Sequence, residues 1–202
     1  MKTIITAMPV YKFIEANSFE SYIHMIDALR QKYNVRQALI HTIDVCGGRN
    51  ALADFVVKGG HDDEDYVLWL DSDHIYSADS ALRLVDQMES NGLEMVSAMY
   101  KQRPGRNLAH VRINGRVVER IPYDPETHGL QDVDVVGFGF LLMKVGLLKR
   151  IVDRYTPAFQ WVRAEDGIHG EDAYFCSLLK KEGVRICYDA DVHVKHLQGT
   201  MI

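Results

Sequence analysis

Tyr66-Val67-Leu68-Trp69-Leu70-Asp71-Ser72-Asp73 is an unbroken apolar run that ends in two carboxylates one residue apart. Five apolar residues in succession read as a strand buried on both faces, and such strands belong in parallel sheets covered by helices. Ligands of these sheets bind outside the carboxyl ends of the strands, so the position of the two aspartates matters as much as their identity. Two readings fit them. They share a divalent cation through hard oxygen ligands, as a diphosphate requires, or they form a solvated turn after a strand.

Upstream, residues 3–7 are an apolar, β-branched run stopped by Pro9, a strand ending in a loop. Ser18 reads as the N-cap of a helix that places Tyr22, Met25, Ile26 and Leu29 on one face. Residues 38–43 read as a second strand ending near Asp44 and Gly47-Gly48, residues 49–57 as a helix stopped by Gly59-Gly60, and residues 61–65 as an acidic loop.

Downstream, Ala81, Leu84, Val85 and Met88 make a helical stripe, Asn91-Gly92 ends it, and residues 95–99 supply another strand. Asn114-Gly115 between residues 111–113 and 116–118 predicts a hairpin. Then come a strand at 133–136, a turn at Gly137-Phe138-Gly139 and a helix carrying Leu148, Ile151, Val152 and Tyr155. A last helix begins near Glu171, with Phe175, Leu178 and Leu179 inward, before a closing strand at 184–188. This alternation predicts an α/β fold: a mainly parallel central sheet, helices on both faces, and a small β-hairpin insertion.

The 202 residues, 47% hydrophobic, suit one sizeable core, so we expect a single domain over residues 1–202. A net charge of -5 gives no overall electrostatic reason to bind nucleic acid or an anionic membrane. Lys101, Arg103 and Arg106 form one basic cluster, read either as a solvated loop or as a loop over the site that meets a phosphorylated acceptor. Cys46, Cys176 and Cys187 are odd in number and lack metal-site spacing, which predicts a reducing, cytoplasmic setting. The apolar run near the start is too short for a signal peptide, and none approaches the roughly 18 to 20 residues of a membrane span.

Glu171-Asp172 is a second carboxylate pair, placed at a helix start. It either meets the helix dipole or presents Asp172 as a general base. Among nine histidines, His193 and His196 follow the closing strand; an imidazole near the aspartates would complete a mixed nitrogen and oxygen site, favouring Mn²⁺ over Mg²⁺. Arg49-Asn50 after Gly47-Gly48 reads as an anion-binding helix start or as a plain loop. Tyr11 and Trp161 either stack on a base or sugar or serve packing. The sequence contains no P-loop, dinucleotide fingerprint or Gly-x-Ser-x-Gly elbow.

Taken in order along nearly the whole chain, these segments resemble the GT-A glycosyltransferases, family 2 in particular. The resemblance implies the Rossmann-like GT-A fold and a nucleotide-sugar donor, expected to carry uridine diphosphate. It implies that Pro9 and Tyr11 contact the base, that Asp44 contacts base or ribose, and that Arg49 and Asn50, the family's helix start, bind the donor. Asp71-Ser72-Asp73 matches the Asp-x-Asp motif, and Gly137 and Gly139 lie in the segment beneath donor sugar and acceptor. Gly170-Glu171-Asp172 matches the motif whose aspartate is the base of inverting members, making Glu171 and Asp172 the catalytic pair. His196, rather than His193, then joins Asp73 and Asp71 around Mn²⁺ or Mg²⁺.

The expected acceptor is a glycan, a lipid-linked glycan or another hydroxyl compound; a nucleic-acid acceptor has no support in the residues. Two rivals stand beside this reading. A sugar nucleotidyltransferase would show a glycine-rich, basic loop near the first strand, where residues 7–11 have none. A non-catalytic nucleotide-sugar or glycan-binding module would keep the fold without turnover.

Overall fold

The computed structural model describes residues 1–101, 107–114, 117–164 and 167–197. The strand read first, β3, is an interior strand of the main sheet. In chain order the elements before it are β1 (Thr3–Val10), α1 (Ala16–Leu29), β2 (Asn34–His41) and α2 (Val45–Lys58); β3 itself spans Tyr66–Leu70. After it come β4 (His74–Ile75), α3 (Ala78–Asn91), β5 (Met95–Met99), β6 (Asn107–Asn114), β7 (Val117–Pro122) and β8 (Leu130–Asp132). The chain continues through β9 (Phe140–Lys144), α4 (Val145–Arg154), β10 (Val162–Ala164), β11 (Gly167–His169), α5 (Glu171–Lys181), β12 (Cys187–His193) and β13 (Lys195–His196).

The main sheet has the order β2-β1-β3-β9-β5-β12-β8. β2, β1, β3, β5 and β12 run one way; β9 and β8 run against them. Side chains of β3 divide by the two-residue period of a strand. Val67 and Trp69 join a core with α2, α4 and α5, whereas Tyr66, Leu68 and Leu70 join a second core with α1 and α3. Helices thus cover both faces. All five β3 residues are buried, as their unbroken apolar run requires.

Local chemistry sets the helix ends. Ser77 caps α3 by accepting from the Ser80 N–H at 3.0 Å, and Gly92 ends it in the left-handed conformation at φ 62°. The expected inward stripes of α1 and α3 are buried. α1, however, starts at Ala16, and Ser18 is buried within its first turn rather than capping it. α2 starts four residues before Arg49, because the Asp44 carboxylate accepts from the Gly47 N–H at 2.5 Å and draws Gly47-Gly48 into the helix. Gly48 suits that entry: a Cβ there would lie 2.8 Å from Thr42 Cγ2 and 3.1 Å from Pro9 Cβ.

Three strand expectations also change. Residues 133–136 do not form a sheet strand; Val135 exchanges backbone hydrogen bonds with Val111 of the hairpin, and β8 precedes it. Phe140–Lys144, expected only to follow a glycine turn, is the antiparallel strand between β3 and β5. The closing strand begins at Cys187 and runs on to His193. The β6–β7 hairpin is present, pairing Asn114 with Val117, while its turn, residues 115–116, lies outside the described residues. Among the described residues no helix is long and apolar enough to cross a membrane.

Truncation should separate the buried stripe from the helix exterior. Leu84→Ala, at a fully buried site of α3, should cost about 2–5 kcal/mol in urea unfolding followed by circular dichroism. Phe55→Ala, at an exposed site of α2, should stay within about 0.5 kcal/mol of wild type.

Candidate active site

The carboxyl ends of β1 and β3, the start of α2 and the first turn of α5 enclose a cleft of about 320 Å³. Pro9, Tyr11, Asp44, Arg49, Asp71, Ser72, Asp73, Glu171 and Asp172 all line it, together with Thr42, Ile43 and Val45. Tyr11 is 56% exposed and Ile43 85%, so both present apolar surface at the rim. Between Tyr11 and Phe13 the backbone makes a tight turn, with the Phe13 N–H donating to Tyr11 O at 2.8 Å and Lys12 at φ 66°. Asp44 serves as helix cap and cleft wall at once.

Arg49 forms the floor. Its side chain is 3% exposed and its three nitrogens face three carboxylates: Nη1 lies 3.0 Å from Asp172 Oδ1, Nη2 3.1 Å from Asp71 Oδ1, and Nε 3.6 Å from Glu171 Oε1. Only the Asp71 contact has hydrogen-bond geometry. Nε and Nη1 of Arg49 and Oδ1 of Asp172 are buried with no hydrogen-bond partner among the described residues, so the attraction there is charge on charge. Phe138 and Phe159 pack near the guanidinium, their ring centres 5.1 and 6.0 Å from its carbon.

This setting tunes Asp172. Burial, with Glu171 and Asp71 acting in the same direction, pushes its carboxyl up to about 7 against the pull of Arg49. The Phe138 N–H donates weakly to Oδ2 at 3.4 Å. A carboxylate poised near neutrality is suited to accept and hold a proton.

Asp73 belongs to a second group at the cleft edge. β4 and β13 pair antiparallel with His74 opposite His196, and the Leu197 N–H donates to Asp73 O at 2.8 Å. The two imidazoles stack at 4.4 Å and 12°. His74 Nδ1 lies 3.0 Å from Asp73 Oδ1 and His196 Nε2 3.5 Å from Oδ2. Burial would raise the Asp73 pKa, but hydrogen bonds from His196 and His74 outweigh it and hold the carboxylate well below its usual range.

One ligand atom from each of Asp73, His74 and His196 lies within 4.8 Å of the others, and His74 Nε2 is buried without a hydrogen-bond partner among the described residues. An ionised oxygen ligand with two imidazoles fits a divalent ion of the Mn²⁺ type better than Mg²⁺, which favours an all-oxygen octahedron.

Asp71 stands outside this group, one oxygen being taken by Arg49. His193, exposed at the end of β12, meets the edge of Tyr123 instead. His74 was missed in the sequence; its adjacency to Asp73 was the available signal, but only the pairing with His196 gives it meaning. Asn50 is turned to structure: its amide donates to Phe159 O at 2.7 Å and accepts from Phe159 N at 3.0 Å, tying α2 to the segment after α4. Trp161 is 59% exposed beside Gly170, next to the α5 start. Of the basic cluster, Lys101 stacks over Tyr123 at 4.0 Å, while Arg103 and Arg106 lie outside the described residues.

Gly137 and Gly139 pass beneath the site where no side chain fits. A Cβ on Gly139 would lie 2.8 Å from His74 Cε1 and 2.9 Å from Asp71 Oδ2, and one on Gly137 would overlap the Tyr100 hydroxyl. That hydroxyl accepts the Gly139 N–H at 2.9 Å.

No family model matches the chain, and no curated protein matches it by sequence. Its backbone is similar to that of A197 from STIV, with a TM-score of 0.66 and 19% identity over 98% of this chain and 87% of that one. It is also similar to TarS 1-349 from S. aureus, with a TM-score of 0.56 and 15% identity over 98% of this chain; the match spans 60% of the TarS chain. The fold is α/β and GT-A-like, with a mainly parallel central sheet and helices on both faces.

Overpacking tests the glycine floor. Gly137→Ala should lose about 1–3 kcal/mol by thermal unfolding, and adding Tyr100→Phe, which removes the overlapping hydroxyl, should recover part of that loss.

Proposed function

We propose that the chain is a cation-dependent glycosyltransferase that moves a sugar from a nucleoside-diphosphate sugar to an acceptor hydroxyl with inversion. The observation that carries this reading is convergence. Pro9 and Tyr11, Asp44, Asp71 to Asp73, and Glu171-Asp172 come from four separated stretches, yet line one cleft at the strand ends. That cleft also holds a carboxyl poised near neutrality.

Tyr11 and Ile43 supply the apolar rim against which a base stacks, and Asp44 offers a carboxylate to a base N–H; uridine diphosphate, whose base has one, is the expected carrier. Asp71 and Ser72 face the ribose and diphosphate. Asp73, His74 and His196 would hold the cation, which when bound neutralises the diphosphate as its bond to the sugar breaks.

Asp172, ionised, takes the proton of the acceptor hydroxyl as that oxygen bonds to the anomeric carbon and the diphosphate oxygen departs with its electron pair. Glu171 balances the Arg49 charge beside it. The acceptor is a glycan, a lipid-linked glycan or another hydroxyl compound. Free cysteines at 46, 176 and 187 accord with action in the cytoplasm.

Thermal unfolding with MnCl₂ and a series of nucleoside diphosphates tests the donor site. At about 100 times its dissociation constant, a ligand that binds only the folded chain stabilises it by roughly 2.7 kcal/mol. We expect a Mn²⁺-dependent rise in Tm with uridine diphosphate that disappears in Asp73→Asn; a folded wild type that responds to no nucleotide overturns the reading.

Steady-state kinetics test the base. Asp172→Asn should lower turnover about 10²–10⁴-fold and leave nucleotide affinity unchanged; matched losses in both would count against the role. Because only the ionised carboxylate accepts a proton, wild-type turnover should rise with pH through about 7.

A further inference from the structure

We propose that Arg49 is a positioning residue: its guanidinium locks Asp71, on the donor side of the cleft, and Asp172, on the acceptor side, into one arrangement without touching either substrate. This rests on the reading of Asp172 as the base, and it departs from the donor contact that the family resemblance implies for Arg49.

The geometry leaves no room for a phosphate. The side chain is 3% exposed, and each nitrogen already faces a different carboxylate at 3.0 to 3.6 Å. Below it lie Phe138 and Phe159, themselves packed edge-on against Trp69. A diphosphate could approach only by displacing a carboxylate, into a cluster where three carboxylates already outnumber one guanidinium. Arg49 springs from α2, Asp71 from the end of β3, and Glu171 and Asp172 from the start of α5, so one planar cation links three elements. A lysine keeps the charge but cannot present nitrogens in three directions of one plane.

The same cluster sets the charge that Asp172 feels. Glu171 and Asp71 oppose its ionisation, Arg49 favours it, and the Tyr100 hydroxyl and Cys176 thiol are close enough to sense it. Lys180 lies further along α5, paired with Asp134. Without the fork of Arg49, Asp172 should hold its proton to higher pH and rest in more than one orientation.

The test uses Arg49→Lys, with Arg49→Gln as a second variant, which removes the cation and leaves Glu171 in place, should the lysine fail to fold. Three readouts apply: uridine diphosphate affinity with Mn²⁺ by calorimetry, the pH midpoint of the Asp172 carboxyl carbon by ¹³C NMR, and the pH profile of kcat. We expect nucleotide affinity within about threefold of wild type. The Asp172 midpoint should move up by about one unit, a tenfold change in proton affinity, and kcat lost near neutrality should recover as pH rises.

A tenfold or greater fall in nucleotide affinity overturns the proposal and returns Arg49 to the donor site. An unmoved Asp172 midpoint overturns it whatever the affinity. Failure of the wild type to bind any nucleotide would instead strike the glycosyltransferase reading, and the NMR midpoint would still decide what Arg49 does.

Discussion

A guanidinium withdrawn from water is tolerable only where anions surround it, and Arg49 meets that condition through three carboxylates supplied by two distant parts of the chain. Burial alone would lower its pKa; the charges of Asp172, Asp71 and Glu171 outweigh that and hold it above its ordinary value. The demand is mutual. Asp71 and the Glu171-Asp172 pair are held together against their own repulsion because the cation lies between them. The end of β3 and the start of α5 therefore cannot shift independently of α2, and the cleft inherits its shape from that constraint.

The reversed strand β9 serves the same arrangement. By running against β3 and β5, it enters the sheet directly after Gly137-Phe138-Gly139, so this segment passes under Asp71 and Asp172 and offers them backbone rather than bulk. The Asp71 N–H donates to Gly139 O at 3.1 Å, which continues the β3–β9 pairing one step past the strand and aims the Asp71 side chain. Phe138, between the glycines, turns its ring down into the aromatic cluster with Trp69, Phe159 and Phe175. One tripeptide thus joins the polar floor of the cleft to the apolar core.

How much of this was legible in the sequence depends on the range of the interaction that decides each feature. The β3 run, the α3 stripe, Asn91-Gly92 as a helix end and the presence of a hairpin over residues 111–118 are written in neighbours, and they were readable. So were most of the cleft residues, because each follows a strand or opens a helix. The start of α2 was misplaced because a side-chain cap from Asp44 competes with the breaking tendency of two glycines. β9 was not seen because an apolar pentapeptide reads alike as either direction of strand or as the lead into a helix. His74 and Asn50 depend on partners 122 and 109 residues away, His196 and Phe159. No local pattern carries that information.

The β4–β13 ribbon has a consequence of its own. A pairing only two residues long contributes little stability by itself, yet it carries His74 on one strand and His196 on the other. The imidazoles are therefore mounted on a two-pair ribbon, whereas Asp73 follows β3, an interior strand of the main sheet. Any occupant held by Asp73, His74 and His196 would therefore bridge the two strands of the ribbon and add a link that two residue pairs alone do not provide.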